Sequence, residues 1–258
     1  MPYSQRITPE KSKDLDLALF DAIILDVGNV IIYDFPVEIA YSFFVSEEIK
    51  ARKLDFKPKA SEILYSSRNH TNLFAGFTYS NLWGEVNSNA WQRVLENWDA
   101  FCIPIPGVID VIRKLASKRL IILANQPKQM LPVLKNLGIY YLFEEIILDS
   151  IVGISKPNTK IYEYAINKLN LKPALSLMIG DRLDNDVIPA KMIGIPVVWI
   201  KKKPIDKTLS IPIVSEEWKD HYHRISNEIL DLDSRNLPEK YSQFQPDYVM
   251  DSLADIIC

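Results

Sequence analysis

Cysteine is almost missing from this chain: Cys102 and the terminal Cys258 are the two thiols in 258 residues. Two thiols cannot make a disulfide framework, so a reducing cytoplasm is the expected compartment. Cys258 sits at the last position and does not fit a prenylation signal, which needs the cysteine four residues from the end. Histidine is scarce, with three in the chain. His221 and His223 are two apart and point to different sides of a helix, so they are not expected to pair on a metal. Long hydrophobic runs are missing too. No run of 18 apolar residues predicts a membrane span, and the polar stretch Met1 to Asp16 does not read as a signal peptide. There is no basic surplus: the formal net charge is −3. Lys201-Lys202-Lys203 is short enough to be a solvated turn, so no nucleic-acid partner is expected.

What is present is a large apolar inventory, 48% of residues, enough for one large domain or a core with a smaller insert. Five short runs rich in Ile, Leu and Val read as buried parallel strands: Ala22–Leu25, Leu120–Leu123, Glu145–Leu148, Leu177–Ile179 and Val197–Ile200. Helical patterns lie between most of them, at Val108–Ser117, Thr159–Leu169 and Asp186–Ile193. This alternation predicts an α/β fold, a doubly wound parallel sheet with its site at the carboxyl ends of the strands.

The rhythm breaks between Asp34 and Ile105. No strand is expected there, only helical patterns dense in aromatics such as Tyr41, Phe43, Phe44, Tyr65, Phe74, Trp83, Trp91, Trp98 and Phe101. A stretch of about 70 residues is too long for a βα connection. It is expected to be a helical insert at 35–103, with residues 1–34 and 104–258 forming the α/β core. Its aromatics are mostly core, because a small helical unit needs large side chains to bury enough area. The polar stretch His70-Thr71-Asn72-Leu73-Phe74 is the exception, a candidate to face a cleft. Residues 203–245 form a further insertion, in which Ser215–Leu232 reads as one long helix for packing or for a homodimer contact.

Two of the strands end in a carboxylate. Ala22-Ile23-Ile24-Leu25 runs into Asp26-Val27-Gly28-Asn29-Val30. Leu177-Met178-Ile179 opens into Gly180-Asp181-Arg182-Leu183-Asp184-Asn185-Asp186. A composite acidic site built this way suits a divalent cation and a phosphoryl group. Asp184 in the same loop reads as a solvated residue or a helix N-cap.

Taken with the strand end Ile121–Asn125 and Ser155-Lys156-Pro157-Asn158, these segments resemble the motifs of the haloacid dehalogenase superfamily, most of whose members are phosphatases. The helical insert resembles that family's four-helix cap, and Pro246–Ile257 its closing strand and helix. The resemblance covers about residues 20–202 and the tail. It implies a Rossmann-like core and a Mg2+-dependent hydrolase of a small phosphate monoester, a small phosphorylated metabolite. In this reading Asp26 is the nucleophile that forms an aspartyl-phosphate. Asp26, Asp181 and the Gly28 carbonyl hold the metal, and Lys156 neutralises Asp26 and the phosphate. Asp186 is placed in the metal set, acting mainly by positioning Lys156 or metal-bound water. The phosphate-binding candidates are Asn29, Ala124, Asn125 and Lys156.

Two positions depart from the family pattern. Most family phosphatases carry a second Asp where this chain has Gly28, and losing such an acid–base group costs on the order of 10²–10⁴-fold. Ala124 stands where the family usually has Ser or Thr, and Asn125 or nearby backbone amides are the expected substitutes. Some members with the Asp-Val-Gly-Asn-Val stretch, glucose-1-phosphatase-like proteins among them, share the glycine. The departures leave two alternatives open: a 2-haloacid dehalogenase, in which Asp26 displaces halide without metal, and a binding or regulatory protein that has lost turnover.

Overall fold

A computed structural model describes residues 15–68, 71–201, 211, 214 and 243–257. The described residues fall into two compact units. One takes the chain up to Tyr33 and from Pro104 onward through the sheet, and the other is Asp34–Ile103. His70, His221, His223 and the expected helix Ser215–Leu232 lie outside the described residues.

The first unit is built on a six-stranded, all-parallel sheet. Its strands are β1 (Ala22–Leu25), β2 (Arg119–Ala124), β3 (Glu145–Leu148), β4 (Ser176–Gly180), β5 (Val197–Ile200) and β6 (Tyr248–Met250), in spatial order β3-β2-β1-β4-β5-β6. Every residue of β1, β4 and β5 is buried, as parallel strands covered on both faces require. The edge strands β3 and β6 are only partly covered. The strands called from apolar runs all form, and β2 and β4 each extend a residue beyond them at both ends. The chain builds outward on one side of β1 through β2 and β3, then returns to the other side with β4. The order therefore reverses at β1, and the crevice at the carboxyl ends of such a sheet is where ligands bind.

Helices α5 (Val108–Leu115), α6 (Met130–Asn136), α7 (Asp149–Val152), α8 (Thr159–Leu169) and α9 (Ile188–Met192) belong to this unit. Asn158 caps α8 by accepting from the Lys160 N–H at 3.0 Å. The apolar face of α8, with Ile161, Tyr162 and Ala165, packs on Ile24, Ile121, Leu123 and Met178 of the sheet.

The helix expected over Val108–Ser117 ends at Leu115. The one expected over Asp186–Ile193 is shorter, Ile188–Met192, and a wide π turn at Leu183–Val187 precedes it. Two side-chain bonds hold that turn open. The Asp186 carboxylate accepts the Arg182 N–H at 2.9 Å, and the buried Tyr162 hydroxyl donates to the Asn185 carbonyl at 2.7 Å. Asp184 is not a cap there: it pairs with the Arg182 guanidinium at 2.6 Å near the surface. After β6 the chain makes a 3₁₀ turn, Leu253–Ile257, where the resemblance implied a closing helix. Asp247 anchors this last segment by accepting from the Val197 N–H at 2.7 Å and from Lys191 Nζ at 2.7 Å.

The second unit is helical: α1 (Phe35–Ala51), α2 (Ala60–Arg68), α3 (Trp83–Glu96) and α4 (Trp98–Phe101). Helix α1 is buried nearly all round and packs against the other three. Tyr41 is fully buried, stacks on Trp91 with centroids 4.6 Å apart, and donates to Asn87 Oδ1 at 2.6 Å. Phe44, Phe74, Trp83, Trp98 and Phe101 are buried as well, while Tyr65 is exposed. In the polar stretch, Asn72 is a turn former: its Oδ1 accepts the Phe74 N–H at 2.8 Å, and Phe74 enters the core. Glu48 gathers Arg52, Arg93 and Asn89 around one carboxylate.

Candidate active site

Asp26 follows the last residue of β1, and its own N–H still bonds to the Ile179 carbonyl of β4 at 2.9 Å. The chain then turns sharply. The N–H groups of Ile31 and Ile32 both return to the Val27 carbonyl, and the Asn29 N–H bonds to the Ile32 carbonyl at 2.6 Å. Val27, Val30, Ile31 and Ile32 are buried, so this turn is an apolar plug that holds Asp26 at the sheet's end. Asn29 makes the tight step, with φ at 52°. Asparagine is one of the few side chains that enters the left-handed region readily.

Three carboxylates converge here. Ligand oxygens of Asp26, Asp181 and Asp186 lie within 4.8 Å of one another, and all three residues are buried. Lys156, itself buried, reaches in from the segment before α8. Its Nζ donates to Asp26 Oδ1 at 2.7 Å and to Asp186 Oδ1 at 2.6 Å. Burial alone would lower the Lys156 pKa, but Asp186 and Asp26 outweigh it and hold the ammonium well above its ordinary value. Burial raises the Asp26 and Asp186 carboxyls, against the pull of Lys156, and the neighbouring carboxylate adds to the rise in each case. Three carboxylates and one ammonium carry a formal charge of −2 in a buried place. Hard carboxylate oxygens with a surplus of two negative charges fit a divalent cation such as Mg2+. Asp26, Asp181 and Asp186 are the side chains on hand that could hold it.

The phosphate-binding candidates occupy less open positions. Ala124, the last residue of β2, is fully buried and its methyl offers no hydrogen bond. Asn125 turns its amide onto the backbone of Lys156: Nδ2 donates to the Lys156 carbonyl and Oδ1 accepts the Lys156 N–H, both at 2.9 Å. Asn29 Nδ2 donates to Asp181 Oδ2 at 2.9 Å. Both amides thus bond to charged residues of the site, Asn29 to the Asp181 carboxylate and Asn125 to the Lys156 backbone.

Three residues support the site without being singled out for it by sequence, although Gly180 opens the acidic motif. Trp199 of β5 donates its indole N–H to the Asp181 carbonyl at 2.9 Å. Gly180 provides the space in which the Asp186 carboxylate lies. Tyr162 of α8 fixes the acidic loop at Asn185, and burial keeps its pKa well above the ordinary value, so it stays a donor. A tryptophan in a buried strand is the one with a legible signal, since its N–H must find a partner.

Residues 20–194 match the family model of haloacid dehalogenase-like hydrolases, and the chain belongs to that family. A glyceraldehyde 3-phosphate phosphatase of Methanopyrus kandleri is 31% identical over 106 residues, which is 40% of this chain and 46% of the relative. The chain thus spans less than half the length of this curated relative. Among solved structures, a HAD phosphatase from Thermococcus onnurineus superposes with a TM-score of 0.59 at 20% identity, covering 92% of this chain and 96% of the other. An L-2-haloacid dehalogenase from Xanthobacter autotrophicus does so with a TM-score of 0.55 at 15% identity, over 92% and 96%. These two likenesses show a shared fold. Among the described residues no helix is long and apolar enough to cross a membrane.

Proposed function

We propose that this protein is a Mg2+-dependent phosphatase of a small phosphorylated metabolite, acting through an aspartyl-phosphate on Asp26. The observation that carries the reading is the buried set of Asp26, Asp181 and Asp186 with a single lysine bridging two of them, a set left two charges short of neutrality. Retained acids of this kind argue for phosphate chemistry over halide displacement, which needs no metal. The phosphatase activity of the Methanopyrus relative supports the same reading.

In the proposed reaction an Asp26 oxygen attacks phosphorus and the alcohol leaves. Water then attacks the phosphorus of the aspartyl-phosphate, releasing phosphate and restoring the carboxylate. Mg2+, when bound, offsets the repulsion between two anionic reactants. Asp181 and the Gly28 carbonyl would hold it together with Asp26. Lys156 restrains the Asp26 carboxylate and balances charge on the phosphoryl oxygens. Asp186 holds Lys156 in place, and backbone amides of the loop at Asn125 bind phosphate oxygens. Gly28 brings no side-chain acid to the leaving group, so turnover of alkyl esters is expected to be slow. Residues 35–103 act as the cap that admits substrate and excludes water. The buried free thiol of Cys102 suits a reducing cytoplasm.

The test is phosphate release from para-nitrophenyl phosphate and a panel of sugar and nucleotide phosphates, with and without Mg2+, beside Asp26→Asn. Mg2+-dependent release that falls at least about a thousand-fold in the mutant supports the reading. Release no greater than the mutant's refutes it, and halide release from 2-haloacids would then be assayed.

A further inference from the structure

Asp181 is gripped at both ends by residues with no charge of their own. Its backbone carbonyl accepts the Trp199 indole N–H at 2.9 Å, a contact buried on both sides. Trp199 reaches it because the β4–β5 register sets Trp199 opposite Gly180, the residue just before Asp181. Its carboxylate accepts from Asn29 Nδ2, also at 2.9 Å. Asn29 belongs to the turn that follows Asp26, so one residue ties the Asp26 turn to the Asp181 loop across β1 and β4. We propose that Trp199 and Asn29 are positioning residues that set divalent-cation affinity by fixing the backbone and the carboxylate of Asp181. The inference rests on the cation site proposed above.

The chemistry of the two donors favours this role. An arginine or lysine at either place would fix Asp181 but also cancel its charge, competing with the cation. An indole and an amide orient the group without adding a positive charge of their own. The pairing also explains why asparagine serves at position 29. Glycine would accept the φ of 52° equally well, but only asparagine joins that conformation to a donor aimed at Asp181. Partners of this kind, which orient a ligand without touching the metal, are each worth on the order of 10–100-fold in metal affinity.

Two substitutions isolate the donors. Asn29→Gly keeps the left-handed step and deletes the amide, while Trp199→Phe keeps an aromatic ring in the core and deletes the N–H. Mg2+ is titrated into the full-length wild type and each variant, by calorimetry and by the shift in melting temperature. The expected result is a dissociation constant for Mg2+ raised on the order of 10–100-fold in each variant, with the metal-free melting temperature of Asn29→Gly close to wild type. If the metal-free melting temperatures fall while the dissociation constants stay at the wild-type value, the residues are structural and the inference is overturned. A wild-type protein that takes up no Mg2+ overturns the cation site itself, and this inference with it.

Discussion

Gly180 lies flush against the carboxylate of Asp186. A Cβ placed on residue 180 would fall well inside contact distance of the Asp186 Cβ, Cγ and Oδ2 atoms. Asp186 has no room to give way, since Lys156 Nζ holds one oxygen and the Arg182 N–H the other. Gly180→Ala is therefore expected to destabilise the protein by about 1–3 kcal/mol, the usual range for overpacking. It is also expected to lower turnover by about a hundred-fold through displacement of Lys156 from Asp26. Denaturant unfolding and phosphate release measure the two effects, and an alanine variant with wild-type values in both would show that the loop can move aside.

Asn125 acts on the other arm of the same site. Its amide makes a two-bond clamp on the Lys156 peptide, and Asn125→Ala removes both bonds at once. The expected cost is about 1–3 kcal/mol of stability and about a hundred-fold in kcat, because a shift of about 1 Å in a charged group suffices for that. Mg2+ affinity is expected to change less than in the Asn29 and Trp199 variants, since the clamp reaches Asp26 and Asp186 only through Lys156. Steady-state kinetics beside a Mg2+ titration separates the clamp from the Asp181 side of the site.

Glu48 gives the helical unit a contribution to its acid response. Burial would raise its pKa, but hydrogen bonds from Asn89 and Arg52, with the charges of Arg52 and Arg93, outweigh burial and hold it below the ordinary value of 4.5. A depressed carboxyl contributes stability above its unfolded pKa and loses it as pH falls through the folded one. Glu48→Gln is accordingly expected to be less stable than wild type by about 1 kcal/mol at pH 7, a modest figure for a partly screened pair. The difference is expected to shrink as pH falls below 4.5. Urea titrations at pH 7 and at acid pH check this, and a difference independent of pH would assign the loss to packing.

Much of the fold was legible because parallel strands buried on both faces leave uninterrupted Ile, Leu and Val runs, as Ala22–Leu25 and Val197–Ile200 do. The carboxylates at the ends of two such runs could be paired for the same reason, and Asp26 and Asp181 do meet. What the chain could not disclose was set by contacts made only in three dimensions. The π turn at Leu183–Val187 depends on Tyr162 reaching from α8 to Asn185, so a helical period read locally starts that helix too early. The partners of the Asn29 and Asn125 amides were not legible either, because an asparagine in sequence does not reveal which way it points. Only the fold turns one toward Asp181 and the other onto the Lys156 peptide.

The central place of β1 has a consequence for biosynthesis. Its two flanking strands, β2 and β4, leave the ribosome roughly 100 and 150 residues after it, and contacts that distant in sequence form late. The strand bearing Asp26 gains its first partner only when about half of the chain has been made, and its second only after Gly180. The helical segment Asp34–Ile103 emerges in that interval with a core of its own. Its buried aromatics are thus on hand before Asp26, Asp181 and Asp186 can meet.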